Sequence, residues 1–150
     1  VLGVNQIRFG SAGTVINSDY GTIYQANLTS TLTLTSGVES DCTVTALTLP
    51  AGIYSISWIV TFHTLVGTTT IGTYAGGYTE STSTFTDFIT RGSFLNQTAP
   101  IDTYFSTSGN TIRQYTSPTN IYLRCACNFG TINRVEFLGG ISSLRAVKIA

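Results

Sequence analysis

The stretch Ile53-Tyr-Ser-Ile-Ser-Trp-Ile-Val-Thr-Phe-His-Thr64 decides the fold class of this 150-residue chain. Its even positions carry large apolar side chains, namely Tyr54, Ile56, Trp58, Val60 and Phe62. Its odd positions are smaller and mixed in character. An alternation with period two is typical of a β-strand that has one face in the core. The stretch therefore predicts a long strand whose aromatic face is buried.

The same alternation recurs along most of the chain, and no segment has convincing helical periodicity. The shorter runs are 6–9, 22–26, 31–35, 42–49, 68–74, 84–90, 101–106, 111–115, 120–129, 134–138 and 143–149. Turn-forming residues separate them, at 36–37, 50–52, 76–77, 108–110 and 117–120. About ten short strands without helices predict an all-β sandwich or barrel. No linker or tandem repeat divides the chain, so we expect a single domain over residues 1–150.

The composition excludes several classes of protein. Charged residues make up only 9% of the chain, hydrophobic residues make up 42%, and the formal net charge is zero. Disorder is disfavoured, because disordered chains combine low hydrophobicity with high net charge. We expect no nucleic-acid partner, since Lys148 is the only lysine and the arginines are scattered. No apolar run approaches the roughly 20 residues that span a bilayer, so we expect no membrane insertion. The chain has no methionine and begins at Val1, which favours excision or processing from a longer protein.

Several predicted strands carry apolar residues on both faces. The opposed neighbours are Phe88 and Ile89, Tyr104 and Phe105, and Phe137 and Leu138. Excess apolar surface on a domain with few charges is usually buried against another copy of the chain. We therefore expect a homo-oligomer, with Phe88, Tyr104 and Leu138 at its interface.

Three segments resemble the complement globular-head and tumour necrosis factor superfamily. Leu49-Pro-Ala-Gly-Ile-Tyr-Ser-Ile-Ser57 resembles the family's strand entry, in which Pro and Gly precede Tyr. Ile121-Tyr-Leu-Arg-Cys125 is similar to its penultimate long strand, and Phe137-Leu-Gly139 resembles the turn before its last strand. The tail Ser142-Ser-Leu-Arg-Ala-Val-Lys-Ile-Ala150 resembles the endings of surface proteins of large algal viruses and of bacterial collagen-like fibres.

The resemblance implies a two-sheet antiparallel jelly-roll sandwich of about ten strands that forms a compact homotrimer. It implies a structural or binding role and no enzymatic activity. We expect a structural protein of a virus particle surface, either a capsid component or a fibre head. Its partners would be copies of itself and other particle-surface proteins. The alternative is an extracellular head of a viral or bacterial fibre that binds a host glycan or receptor. In the family the last strand lies near the threefold contact, which predicts that Ile149 is buried at or beside the subunit interface.

The side chains that could carry catalysis are few. His63 is the only histidine, and no Gly-x-Ser-x-Gly elbow accompanies it, so we expect a strand-end or interface residue. The acids that a cleft could use form no recognisable pair and are expected to be solvated or paired with arginine; they are Glu80, Asp87, Asp102 and Glu136. We expect no enzyme, no resident metal and no cofactor.

The three cysteines are Cys42, Cys125 and Cys127. Cys125 and Cys127 share a predicted strand face with Leu123, where a thiol packs as a small hydrophobic group. We expect both in the core, facing the aromatic side of the 53–64 strand. Two alternatives stay open: a disulfide from Cys42 to either partner, and a metal site that adds His63.

Two further kinds of site are suggested by short patterns. Tyr74 and Tyr78 flank the glycines of 72–77, which predicts an exposed loop whose rings could stack on sugars; packing within a sheet is the alternative. Asn27-Leu-Thr29 and Asn96-Gln-Thr98 match the N-glycosylation pattern, which also arises by chance in a chain so rich in threonine.

Overall fold

The computed structural model describes residues 20–65, 69–80, 88–99, 102–130 and 134–150, with the backbone alone at 69–70 and 88–99. These residues form eleven β-strands and one short 3-10 helix. The strands are β1 (Ile23–Gln25), β2 (Thr31–Thr33), β3 (Ser40–Asp41), β4 (Leu47–Leu49), β5 (Gly52–Thr64), β6 (Thr69–Thr79), β7 (Phe88–Ala99), β8 (Tyr104–Tyr115), β9 (Thr119–Phe129), β10 (Val135–Leu138) and β11 (Ser143–Lys148). The 3-10 helix is Gly139–Ile141. None of the described residues belongs to a helix long and apolar enough to cross a membrane.

The strands form two antiparallel sheets. In the front sheet β5 pairs with β8 along one edge and with both β11 and β10 along the other, and β1 and β2 continue outward from β11 and β10. In the back sheet β9 pairs with β6 along one edge and with both β3 and β4 along the other, and β7 lies beyond β6. Each sheet thus has four strand positions, several of them interrupted, as in an eight-position jelly roll. The expected all-β jelly-roll sandwich is confirmed.

The core lies between the aromatic face of β5 and the inner face of the back sheet. Tyr54, Ile56, Val60 and Phe62 are fully buried, and Trp58 is 4% exposed. Their neighbours from β9 are buried as well, including Leu123, Cys125 and Cys127. Edge-to-face ring contacts cross the sandwich, from Trp58 to Tyr78 and from Phe62 to Tyr74. The predicted face assignment of the 53–64 strand is confirmed.

Two of the predicted turns are wrong, because their glycines lie inside long strands. Gly76 and Gly77 are in β6, and Gly109 is in β8, where it pairs with Trp58. A Cβ atom on Gly76 would lie 2.5 Å from Cγ2 of Val60. Glycine occurs there because the two sheets approach closely, and not because the chain turns.

The predicted strand at 42–49 is wrong in extent: only its end is a strand, β4, and the short β3 precedes it. After Cys42 the chain leaves β9: Thr43 forms a bridge with Leu28, and the Val44 N–H donates to the carbonyl of Asn27 at 2.9 Å. The chain returns to β9 only at β4. Competing pairing with residues 27–28 therefore interrupts the strand. The predicted strand at 6–9 and the first residues of the one at 84–90 lie outside the described residues.

The last strand lies inside the front sheet, between β1 and β5. Leu144 and Ala146 are fully buried on its inner face. The Ile149 N–H donates to the carbonyl of Ile53 at 2.7 Å, so the chain stays attached beyond β11. The turn before β11 is anchored by Ser142, whose hydroxyl donates to the carbonyl of Leu138 at 2.6 Å and accepts the Thr61 N–H at 3.0 Å.

Candidate subunit interface

The front sheet has an outward-facing surface that we call the outer face. On β5 it consists of the residues that alternate with the buried ones, and directly paired residues on neighbouring strands share the same side. The register assigns to it Ile23 and Gln25 of β1; Ser143, Arg145 and Val147 of β11; Ser55, Ser57, Ile59, Thr61 and His63 of β5; Tyr104, Ser106, Ser108, Asn110 and Ile112 of β8; and Glu136 and Leu138 of β10.

The centre of the outer face is small and uncharged. Ser57, Ser106 and Ser108 are exposed there. Among the described residues of this face, Arg145 is the only charged side chain that is exposed. Short side chains leave the sheet flat, so another flat surface could approach its backbone closely.

Large apolar side chains accompany these serines: Ile59 lies among them, paired with Ser108, and the others lie further out. The exposed fractions are 55% for Ile23, 43% for Ile59, 66% for Ile112 and 58% for Tyr104. In register, Ile23 pairs with Val147, Val147 with Ser55, and Ser55 with Ile112, so a row that is apolar except at Ser55 crosses four strands. A sheet face that meets water normally carries polar side chains, so this pattern is typical of a face that is covered.

An aromatic and ionic group closes one end of the outer face. The His63 and Tyr104 rings stack with centroids 4.3 Å apart and planes 11° apart. Nε2 of His63 lies 3.1 Å from Oδ1 of Asp102. The His63 side chain is only 10% exposed, with the Tyr104 ring stacked on it.

The backbone at the start of β8 positions Asp102. This residue has a left-handed conformation, with φ of 59°, which Asp adopts more readily than most residues. Its N–H donates to the carbonyl of Thr64 at 2.9 Å, and the Thr64 N–H donates to the carbonyl of Thr103 at 3.1 Å. These two bonds hold the carboxylate beside His63.

A second acid approaches the same histidine from β10. Glu136 pairs with His63 across the β5–β10 ladder and is 6% exposed. Its carboxylate accepts a hydrogen bond from the guanidinium of Arg134. The predicted position of His63 at a strand end is confirmed, and this group can hold the Tyr104 ring in one orientation toward a partner.

Of the acids named from the sequence, Asp102 and Glu136 lie beside His63, and Glu80 lies elsewhere. Glu80, at the end of β6, accepts hydrogen bonds from the hydroxyl of Tyr115 at 2.9 Å and from Nη2 of Arg113 at 3.2 Å. Burial raises the pKa of Tyr115 to about 12. Asp87 lies outside the described residues. Within the part of the chain that the structure describes, no group of three or more His, Cys, Asp or Glu side chains is placed to hold a metal ion.

The structure separates the residues predicted for the subunit interface. Tyr104 and Leu138 lie on the outer face, and Ile149 is half-buried just beyond β11 in the same sheet. Phe88 lies in β7 of the back sheet, and its side chain is outside the described residues. Phe88 therefore does not belong to the outer face with the other three.

The predicted sugar-binding loop is wrong. Residues 72–77 lie within β6, and Tyr78 is fully buried against Trp58. Burial raises the pKa of Tyr78 well above the ordinary value of a tyrosine. Tyr74 is half-buried, with its ring against Phe62 and Phe105. Tyr78 therefore offers no ring face to a ligand, and Tyr74 takes part in core packing.

The two glycosylation candidates have different surroundings. Asn27 is exposed in the segment between β1 and β2. Asn96 lies in β7, and its side chain is outside the described residues.

Sequence reasoning missed the isoleucines of the outer face. Ile23, Ile59 and Ile112 are far apart in the chain, and only the strand register brings them onto one surface. The signal in the sequence was weak. It consisted of Ile59, an isoleucine that stands between Ser57 and Thr61 on the polar face of the 53–64 strand.

Comparison with known proteins shows the fold. No family model and no curated protein matches the chain. Among solved structures, Eiger TNF from S. frugiperda matches with a TM-score of 0.54 at 12% identity, over 85% of this chain and 92% of that one. This chain therefore has a jelly-roll fold like that of Eiger TNF.

Viral particle structures are also similar to this chain. A T13 IBDV viral particle structure matches with a TM-score of 0.45 at 15% identity, over 99% of this chain and 41% of that one. An infectious bursal disease virus Gt strain structure matches with a TM-score of 0.46 at 13% identity, over 96% and 42%. This chain thus spans less than half the length of those viral chains.

Proposed function

We propose that this chain is a non-enzymatic structural protein of a virus particle surface, and that it assembles as a homotrimer through the outer face of its front sheet. The observation that carries the proposal is the outer face itself, with its serine-rich centre and its exposed Ile23, Ile59, Ile112 and Tyr104. Exposed apolar surface on a domain with few charges is usually buried against other copies of the chain, and in a closed trimer each subunit contacts both of its neighbours.

The size of the outer face fits such an interface. Four strands spaced about 4.8 Å apart are about 19 Å wide, and a strand as long as β5 extends about 40 Å. The footprint of about 750 Å² is close to the roughly 800 Å² that each partner buries in an interface of standard size. The exposed charges of this face and its border, Arg145 and Asp102, would each need a partner in the interface, because burial of an unpaired charge is costly.

The placement on a virus particle rests on the resemblance of the tail, residues 142–150, to surface proteins of large algal viruses. This tail forms β11, which lies between β1 and β5 and contributes Ser143, Arg145 and Val147 to the outer face. The residues that carry the resemblance are therefore among those that build the proposed interface.

The alternative, a glycan- or receptor-binding head, has less support. It depended on Tyr74 and Tyr78 in an exposed loop, and these residues lie in a strand with their rings against the core. The low charge and the outer face favour a subunit that is packed among other subunits.

Light scattering coupled to size-exclusion chromatography tests the assembly. The full chain at micromolar concentration should elute with about three times the subunit mass of 16.0 kDa. Ile112→Asp should give monomers, because it places a charge in the apolar row. Val44→Asp is the matched control, since Val44 is 58% exposed and lies outside the outer face. A wild-type monomer, or equal effects of the two variants, contradicts the proposal.

Immunogold labelling of purified, intact virus particles from the source tests the location separately. Antibodies raised against the folded chain should label intact particles. Labelling only after disruption of the particles, or none at all, contradicts the surface placement and leaves the assembly result standing.

A further inference from the structure

Two of the three cysteines touch in the core. Sγ of Cys42 lies 3.2 Å from Sγ of Cys125, and both residues are fully buried. Cys127 is also buried and shares the inner face of β9, and its sulfur lies 4.0 Å from the carbonyl oxygen of the adjacent Asn128. The structure therefore distinguishes between the two partners that the sequence offers to Cys42.

Backbone pairing fixes this arrangement. Ser40 pairs with Cys125 across the β3–β9 ladder, and the Cys42 N–H donates to the carbonyl of Leu123 at 2.8 Å. Cys42 and Cys125 are thus diagonal neighbours on one face. A disulfide requires an S–S distance of about 2.05 Å, so the sulfurs have to approach by roughly 1.2 Å. Cys42 can supply this movement, because it directly follows a two-residue strand at the edge of the back sheet.

We propose that Cys42 and Cys125 form a disulfide in an oxidising medium, and that Cys127 remains a free thiol. This inference is independent of the oligomeric state and of the location of the protein.

A small-molecule disulfide such as oxidised glutathione is a sufficient oxidant. The thiolate of one cysteine attacks a sulfur of the reagent, breaks its S–S bond, forms a mixed disulfide and releases one reagent thiolate. The second cysteine then attacks the protein sulfur of the mixed disulfide, forms the Cys42–Cys125 bond and releases the second reagent thiolate. The protein loses two electrons and two protons, and the reagent becomes two thiols.

Burial makes the exchange slow in the native protein. Loss of solvent raises the pKa of the Cys42 thiol well above its ordinary value, and contact with Cys125 adds to this. The thiolate is the form that attacks, and it forms readily only in contact with solvent. The exchange therefore requires a local opening of residues 40–43. Mild denaturant should therefore accelerate the oxidation.

The bond would connect positions 83 residues apart in the chain. It would hold the interrupted edge of the back sheet against β9 and would restrict the unfolded chain. We expect the midpoint of thermal unfolding to rise by about 5–15 °C on oxidation.

Peptide mapping of the full chain tests the assignment. The chain is incubated with oxidised glutathione in mild denaturant, refolded, alkylated with N-ethylmaleimide in strong denaturant and digested with trypsin. Cleavage after Arg8, Arg91, Arg124 and Arg134 places Cys42 in peptide 9–91, and Cys125 with Cys127 in peptide 125–134. The expected result is a link between these two peptides, with one maleimide that fragmentation assigns to Cys127.

Two alanine variants form a matched pair. Cys127→Ala should retain the link and the increase in thermal midpoint, and Cys125→Ala should lose both. Three alkylated cysteines in the oxidised wild-type chain overturn the proposal, and so does a link that fragmentation assigns to Cys127. The wild-type map decides the question even where a variant fails to fold.

Discussion

His63 and Tyr104 stack face to face at the end of β5, with ring centroids 4.3 Å apart. Asp102 fixes the histidine ring through a hydrogen bond to Nε2. The exposed Tyr104 ring therefore packs on a side chain that is itself held in place. A rigid, exposed aromatic ring at the border of a flat apolar face is the kind of side chain that dominates subunit contacts, because little conformational entropy is lost on binding.

Substitution of Tyr104 should affect two measurable quantities, the stability of the subunit and the affinity between subunits. Tyr104→Ala should lower the free energy of unfolding of the subunit by about 0.5–1.5 kcal/mol through loss of the ring stack. It should also raise the trimer dissociation constant at least about tenfold. Chemical denaturation and dilution in light scattering measure the two effects. Tyr104→Phe keeps the ring and should change neither appreciably; equal assembly defects in both variants would argue against a stacking role.

Trp58 should be the most costly single residue of the β5 core. It is 4% exposed and packs edge to face on Tyr78 with ring centroids 5.5 Å apart. Trp58→Ala should reduce the free energy of unfolding by about 3–5 kcal/mol, because it leaves a large cavity between the sheets. Urea unfolding monitored by circular dichroism measures the loss. A cost below about 1 kcal/mol would mean that Trp58 does not lie in the core.

Adjacent glycines in the turn before β11 provide a matched pair. A Cβ atom on Gly139 would overlap the carbonyl oxygen of Thr29, whereas one on Gly140 meets nothing within 4 Å. Gly139→Ala should therefore destabilise the fold by more than about 3 kcal/mol, and Gly140→Ala by less than about 0.5 kcal/mol. Thermal unfolding of both variants tests this, and similar midpoints for the two would show that the close approach does not exist.

Alkaline pH should destabilise the fold through its buried thiols and phenols. Burial raises the pKa of the Cys127 thiol from an ordinary 9.0 to about 12, so the unfolded chain releases this proton first. The stabilising contribution is fully present below pH 9 and is lost as the pH rises toward 12. Cys127→Ala should flatten the decline of the unfolding free energy between these values. An unchanged slope would mean that Cys127 is not the group responsible.

The sequence predicted those parts of the fold that depend on alternation along a single strand. The predicted 53–64 strand differs from β5 by one residue at its start, because burial of five large side chains on one face leaves a clear period of two. Gly76 was misinterpreted because glycine is needed there for the close approach of the two sheets, which a linear pattern does not contain. Tyr78 was misplaced as a consequence. Gly109 was misinterpreted because its pairing with the distant Trp58 is not visible in the local sequence.

The candidate interface could be predicted only in part. Tyr104 and Leu138 can be found from the sequence, because each directly adjoins another large apolar residue in the chain and therefore lies on the opposite face of its strand. Ile23, Ile59 and Ile112 become one surface only through the pairing of β1, β11, β5 and β8, and register between distant strands is set by the whole packed fold. The contact between Cys42 and Cys125 depends in the same way on how β3 pairs with β9.

Removal of the last strand tests fold and assembly together. β11 pairs with both β1 and β5, and its Leu144 and Ala146 are fully buried, so deletion of residues 144–150 opens the front sheet and exposes its core. The truncated chain should be insoluble or unfolded by circular dichroism. Arg145→Ser, on the exposed side of the same strand, is the control that should fold normally. A truncated chain that folds and still forms trimers would contradict both the role of β11 in the core and the proposed interface, because the strand that joins them would then be dispensable.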